Sequence, residues 1–449
     1  MNAASGGLLA RLERSQKVLA LAKLANVGIT MIWGFAVTYV FVRALPLAEF
    51  QAFLLLVAFG NFTVSAEFGL TSIIYSRLRR HWLNAGDGTG SGEGDDFRLE
   101  EIGFLFFLLV AMVVVAGIIL GGAMLAGLVR TGLPLLFFIY FLSACINLPL
   151  LLVKRGLMAT DHNLFWELLD LVRRGLTLVL LLAVLIGFNL TASVTLQLVL
   201  AALGIAIAGV RLHRRVGMRK RHWVAIRRGG RHVRARYLGD IGSTMSLTIS
   251  EMMAYNAPYF TIAMATHDAR PMLLFDFTFK MSRALTMVVR ALVEAAMPRL
   301  TAAYYGGDRH RFGALLFRSL GVAAGAAVGA GLALLVLGRW IVKHLFNGEI
   351  DIAYTEIGLI ALLMLTLSTI CVSVFLQGSL GRFSVVLRQS IPFLIGSVLS
   401  VPVAVAIAPL TGLSFSFAFL GVYTLVFVGT AVLHGISLNR LLHGMKPAA

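Results

Sequence analysis

The stretch MLLFDFTFKMSRALTMVVRALVEAAMP, Met272 to Pro298, is long and apolar enough to cross a bilayer, yet it carries Asp276, Lys280, Arg283, Arg290 and Glu294. Their spacing follows the helical period, so all five side chains fall within an arc of about 80°. A charge facing lipid costs about 2.5–3.5 kcal/mol at mid-bilayer on insertion scales, so this row requires protein partners or a water-filled cavity. One arrangement is an internal ladder in which Asp276 meets Lys280 and Arg290 meets Glu294 at i,i+4, with Arg283 left over. The other is a cationic cavity wall, where a guanidinium beside a lysine suits a phosphate or carboxylate.

Composition places the rest of the chain in the same solvent. With 59% hydrophobic and only 13% charged residues over 449 positions, an ordinary soluble domain is excluded. Apolar runs of about 20 residues give about twelve candidate spanning helices. They lie near 18–43, 49–76, 101–128, 133–153, 165–188, 191–211, 238–263, 272–298, 313–337, 353–380, 384–408 and 413–437. Sorting basic residues by connection tests this map, because cytoplasmic loops retain Lys and Arg. With both termini inside, the opposite side keeps only Arg43, Arg130, Arg270, Arg339 and Lys343, while Lys23, Arg173, Arg174, Lys280, Arg283 and Arg290 lie deeper within helices.

The formal charge of +18 is concentrated in cytoplasmic loops, above all from Arg211 to Arg236. That run reads as a topology determinant resting on anionic headgroups, and as a linker, 213–237, between an N-lobe, 1–212, and a C-lobe, 238–449. No recognition motif or aromatic platform accompanies it, so nucleic acid is not an expected partner. The first 16 residues lack a cleavable signal's short apolar region. Cys145 and Cys371 read as apolar fillers, and NAGDGTGSGEGDD, Asn84 to Asp96, as a flexible loop. No GxxxxGK[ST], HExxH, CxxC or GxSxG pattern occurs, and no metal or cofactor is expected. Asp161 and His162, adjacent in a short loop, are the only tempting acid–base pair and read better as solvated. The chain is not expected to be an enzyme.

Other intramembrane polar residues also keep helical register. Lys23, Asn26, Thr30 and Trp33 share one arc of the first helix, with Lys23 within snorkelling reach of the surface. Glu67 aligns with Thr63 and Thr71 in the second. Glu167, Asp170 and Arg174 share a face of the fifth, where Asp170 and Arg174 form an i,i+4 pair and Arg173 points elsewhere and snorkels. In the seventh, Thr244, Thr248, Glu251 and Tyr255 share a polar side next to Ser243, Ser246 and Ser250.

Two stretches carry a family resemblance. FVRALPLAEFQAFLLLVAFGNFTVSAEFGLTSIIYSRLRR, Phe41 to Arg80, resembles the opening of Wzx-type polysaccharide flippases in Arg43-x-Leu45, the acidic–aromatic pair Glu49 and Phe50, and Phe68-Gly69-Leu70; Lys23 and Asn26 match the K-x-x-N that often precedes it. AMATHDARPMLLFDFTFKMSRALTMVVRALVEAAMPRL, Ala263 to Leu300, resembles the restart of that family's second half, with Pro271 and Met272 where a Gly and an aromatic are common. A shift of 222 residues superposes Arg77 and Leu78 on Arg299 and Leu300, a faint internal repeat.

The resemblance implies the all-α multidrug/oligosaccharidyl-lipid/polysaccharide exporter fold, twelve transmembrane helices in two six-helix lobes around a central cavity. It also implies an undecaprenyl-pyrophosphate-linked oligosaccharide as cargo, flipped from the cytoplasmic to the outer leaflet of a bacterial inner membrane, with a polysaccharide polymerase and glycosyltransferases as partners. The residue reading agrees, because a pyrophosphate cannot cross hydrocarbon unaided. Arg283, Lys280 and Arg290, with Arg174 and Lys23 and the polar Asn26, are expected to hold it while rocking lobes alternate access. Glu67, Glu251, Asp276 and Glu294 would bind a coupling ion or partner the bases. Open alternatives are a cation-coupled drug exporter of the same superfamily, a membrane polymerase or acyltransferase, and the related peptidoglycan-precursor flippase, which usually needs about two more helices.

Overall fold

A computed structural model describes residues 16–65, 67, 70–86, 97–380 and 382–444; within these, some side chains, Glu251 and Glu294 among them, lie outside the described residues. The described elements are helical. In chain order they are α1 (Gln16–Ala44), α2 (Leu47–Ser65), α3 (Leu70–Gly86), α4 (Glu100–Leu125), α5 (Pro134–Cys145), α6 (Asn147–Ala159), α7 (Asn163–Ala183), α8 (Leu190–Val216), α9 (Lys220–Val224), α10 (Ile226–Ala265), α11 (Ala269–Tyr305), α12 (Arg309–Leu345), α13 (Tyr354–Ser379), α14 (Phe383–Thr411) and α15 (Phe415–His443). A 3-10 turn, Val184–Ile186, follows α7. Among the described residues eight spans are long and apolar enough to cross a membrane, α5 and α6 together making one. Charge within their membrane-length sequences sets α7 and α11 apart from that group.

Local chemistry fixes the ends. Asn189, Asp308 and Ser414 accept from Ala192, Arg311 and Phe417 backbone N–H groups and so cap α8, α12 and α15. Gly217 and Gly412, both at φ 68°, close α8 and α14 in the left-handed conformation. Pro134 opens α5, where its missing N–H is not needed.

The chain divides into two compact units, Met1–Thr248 and Ile249–Ala449. In unit 1, α1 packs on α7, α7 on α8, α5 on α8 and α3 on α6. Phe41 and Phe53 stack at 4.1 Å between ring centroids, with Tyr140 edge-on at 4.7 Å to Phe53. In unit 2, α13 packs against α12 and α15, α14 against α15, and α11 against α12 and α13.

Three elements differ from the sequence expectation. The second span is not one helix: α2 ends at Ser65 and α3 begins at Leu70, and Glu67 sits in the break with Oε2 accepting the Thr71 N–H at 2.9 Å. Glu67 therefore caps a helix start instead of continuing a stripe from Thr63 to Thr71. The fourth span is longer, continuing past a junction at Ile146 to Ala159, so it includes Lys154 and Arg155.

The third difference is the basic run, which is helical: α9 occupies part of it, and α10 starts at Ile226 and runs through Thr248, where the units divide. Its start is clamped to the first turns of α4. Gly229 and Gly230 face Glu100 and Phe104 so closely that an added Cβ at Gly229 would lie 2.9 Å from Phe104 Cβ. On α4, Gly103 faces the segment before α10, where an added Cβ would lie 2.5 Å from the His222 carbonyl oxygen. Beside them Glu101, fully buried, accepts from Arg77 at 3.2 Å and lies 2.7 Å from His232 Nδ1. Val233 enters the same apolar cluster as Leu105, Leu109 and Leu152.

The loop Asn84 to Asp96 lies outside the described residues from 87 onward, as do Phe68 and Gly69. Asp161 and His162 are structural: Asp161 pairs with Arg79 at 2.6 Å, and buried His162 lies with Nδ1 2.8 Å from the Thr160 carbonyl. Cys145 and Cys371 are buried free thiols.

Candidate functional site

On α11 the inward face is set by Leu285, Val289 and Val293, all buried, and by Ser282. The stretch from Met272 to Thr278, just after the helix start, is buried throughout. Asp276 therefore sits at 1% exposure and needs partners, which it finds in two directions. Lys280, one turn on, forms an ion pair with both its oxygens, and the Tyr259 hydroxyl of α10 donates to Oδ1 at 2.9 Å. The lower half of the row is thus neutralised internally, and Lys280 is committed to Asp276.

Arg283 is different. It is exposed, it makes no hydrogen bond or ion pair among the described residues, and its guanidinium carbon lies 5.6 Å from the centre of the Phe279 ring. Phe279 in turn contacts the Tyr255 ring at 6.2 Å and Tyr259 at 6.0 Å. Arg290, also exposed, lies 5.5 Å over the Phe375 ring of α13. Two guanidinium groups two turns apart are therefore carried on aromatic faces, on a helix side that apolar packing leaves open. The side chains of Glu251 and Glu294 lie outside the described residues.

Unit 1 holds a second polar cluster, between α1 and α7. Asn26 donates to Glu167 Oε2 at 2.6 Å and to the Glu167 carbonyl at 2.8 Å. Arg174 donates to Asp170 at 2.7 Å and to Thr30 Oγ1 at 2.5 Å. Arg173 does not snorkel: it reaches the other Asp170 oxygen at 2.6 Å, because a carboxylate at 4% exposure has room for two guanidinium donors. Lys154 of α6 faces the same acids, Glu167 and Asp170. Lys23 remains exposed, with no hydrogen bond or ion pair among the described residues. Of the α1 arc, Asn26 and Thr30 both turn to α7, and Asn26 is buried.

Sequence reasoning missed three contributors. Lys154 was placed just outside a span that in fact continues. Tyr259 carries the buried hydroxyl that completes Asp276, and its only sequence signal is its position one turn below Tyr255. A buried chain in unit 2 was also unread: His434 Nδ1 lies 2.9 Å from Ser373 Oγ, which accepts from Gln377 at 2.7 Å.

No family model matches the chain, and no curated protein matches it. Solved structures do. The chain is similar to a multidrug resistance MATE family transporter of the MOP superfamily in its outward-facing conformation, with TM-score 0.62, 13% identity, and 96% of this chain and 98% of that chain covered. It is similar to the Vibrio cholerae MATE transporter VcmN in its bent form, with TM-score 0.56, 14% identity, and 97% and 98% covered. It is also similar to a MOP superfamily transporter from Pyrococcus furiosus Vc1, described as having a binding pocket of reverse polarity that suggests a different function; there the TM-score is 0.57 at 13% identity, with 97% and 98% covered. At these identities the likeness establishes the fold: an all-α, multi-pass membrane transporter fold extending over nearly the whole chain.

Proposed function

We propose that the chain flips an undecaprenyl-pyrophosphate-linked oligosaccharide from the cytoplasmic to the outer leaflet of the inner membrane, for polysaccharide assembly. The observation that carries this reading is Arg283: an exposed guanidinium within a membrane-length helix, held against Phe279 and lacking a carboxylate partner among the described residues. Such a group recognises a phosphate bidentately, and Asp276, the described acid on the same helix face, is taken by Lys280 and Tyr259. Arg290 extends the positive row, Lys280 serves it by neutralising Asp276, and Lys23 and Arg174 in unit 1 are assigned to an anionic cargo. Glu251, Asp276 and Glu294 are assigned to neutralising bases or binding a coupling ion, whereas Glu67 is used as a helix cap. Both termini are assigned to the cytoplasm, and a polymerase and glycosyltransferases to the same pathway.

Multidrug export is the second reading, and the fold likeness favours it, since the transporters named above are described largely as multidrug or MATE proteins. The two readings separate on charge. In cells lacking the chain, lipid-linked intermediates accumulate on the cytoplasmic side, and Arg283→Gln fails to relieve this by about tenfold or more while inserting normally, whereas Arg283→Lys relieves it in part. Full relief by Arg283→Gln sinks the anion reading. Expression that lowers accumulation of a cationic dye, with no lipid-linked intermediate building up in its absence, establishes drug export instead.

A further inference from the structure

The clamp that holds the start of α10 against α4 also decides which side of α10 faces outward. Gly229, His232 and Val233 form the inner side, buried or half-buried against Glu100, Glu101 and Phe104. Arg227, Arg231 and Arg234 fall on the opposite side within an arc of about 60°, at i, i+4 and i+7, over roughly 10 Å of helix. All three are exposed, and none makes a hydrogen bond or ion pair among the described residues. Arg228, also exposed, flanks them.

Depth follows from the same contact. Gly229 touches α4 at Glu100 to Phe104, the turns with which a span of 26 residues begins, so the arginine row stands level with the membrane–water boundary. Val224 and Ile226, just ahead of it, are 75% and 43% exposed, apolar side chains suited to that depth. We propose that the Arg227–Arg231–Arg234 row is a built binding surface for the phosphodiester headgroups of anionic phospholipids. The packing of α10 fixes its geometry, so it is more than loose positive charge on a loop. The proposal is independent of what the chain transports.

Three arginines at about fivefold each give a preference for an anionic over a zwitterionic headgroup on the order of a hundredfold at low salt. The full chain in detergent is titrated with dioctanoyl-phosphatidylglycerol and with dioctanoyl-phosphatidylcholine. The wild type prefers the former, and the preference falls severalfold at 0.5 M salt, a measurement that needs no variant. The triple variant Arg227→Gln, Arg231→Gln, Arg234→Gln, checked for an unchanged elution volume and helix signal, binds the two lipids alike; the triple Lys variant keeps most of the preference. Arg130→Gln, a change to an exposed arginine in the α4–α5 connection, behaves as wild type. The proposal is overturned if the wild type shows no preference, if the Gln variant retains it, or if inorganic phosphate at equal concentration displaces the lipid, which would make the ligand a free phosphate.

Discussion

Asp276, Lys280 and Tyr259 show how a membrane helix carries charge without exposing it. The carboxylate is almost fully buried and the ammonium is 17% exposed, so removing either partner alone leaves the other with an unmet desolvation cost. Asp276→Asn is expected to lower stability by about 3 kcal/mol, read as the thermal unfolding midpoint in detergent, since Lys280 loses its counter-ion. Adding Lys280→Met to that variant is expected to recover most of the loss; if the double change is as damaging as the single one, the pair is not what stabilises this turn. Arg283 follows the opposite logic. Its charge is open, so its replacement is expected to leave the thermal unfolding midpoint nearly unchanged.

At the level of the helix, what could be read in advance was whatever repeats every 3.6 residues. The charged row of α11 and the face of α7 carrying Glu167, Asp170 and Arg174 were legible because helical geometry alone brings those side chains together. Arg173 shows the limit of that logic: it lies off the stripe by register, yet a long side chain bends back to a carboxylate three residues away. The break around Glu67 was illegible because an apolar run looks the same whether or not one carboxylate turns to cap the next helix. Glu67→Ala is expected to cost about 1 kcal/mol by loss of that cap. The clamp between α4 and α10 was illegible for another reason, since glycines in a basic run signal a loop unless the facing backbone is known. Gly229→Ala forces a methyl into Phe104 and the Glu100 backbone, and is expected to speed trypsin cleavage at Arg227 and Arg228 by about tenfold. An unchanged cleavage rate would mean the clamp is not closed in solution.

Across the molecule, the all-helical, membrane-spanning character followed from composition, although eight of the twelve expected spans are long and apolar enough among the described residues, and the sidedness expectation came from where Lys and Arg collect. The sidedness is testable directly: a green fluorescent protein fused after Ala449 is expected to fluoresce, and a phosphatase inserted after Arg130 or Gly348 to be active. A silent phosphatase at both positions reverses the orientation. The fold does not disclose the cargo, since it is shared with transporters described as multidrug resistance proteins.

The clamp on α10 lies wholly within the first 248 residues. Gly103, Glu101 and Arg77 are synthesised well before Gly229 and His232, and every group the contact needs has left the ribosome before most of unit 2 has been translated. The first half can therefore fasten its own trailing helix during membrane insertion, and the second half is delivered from an anchored start.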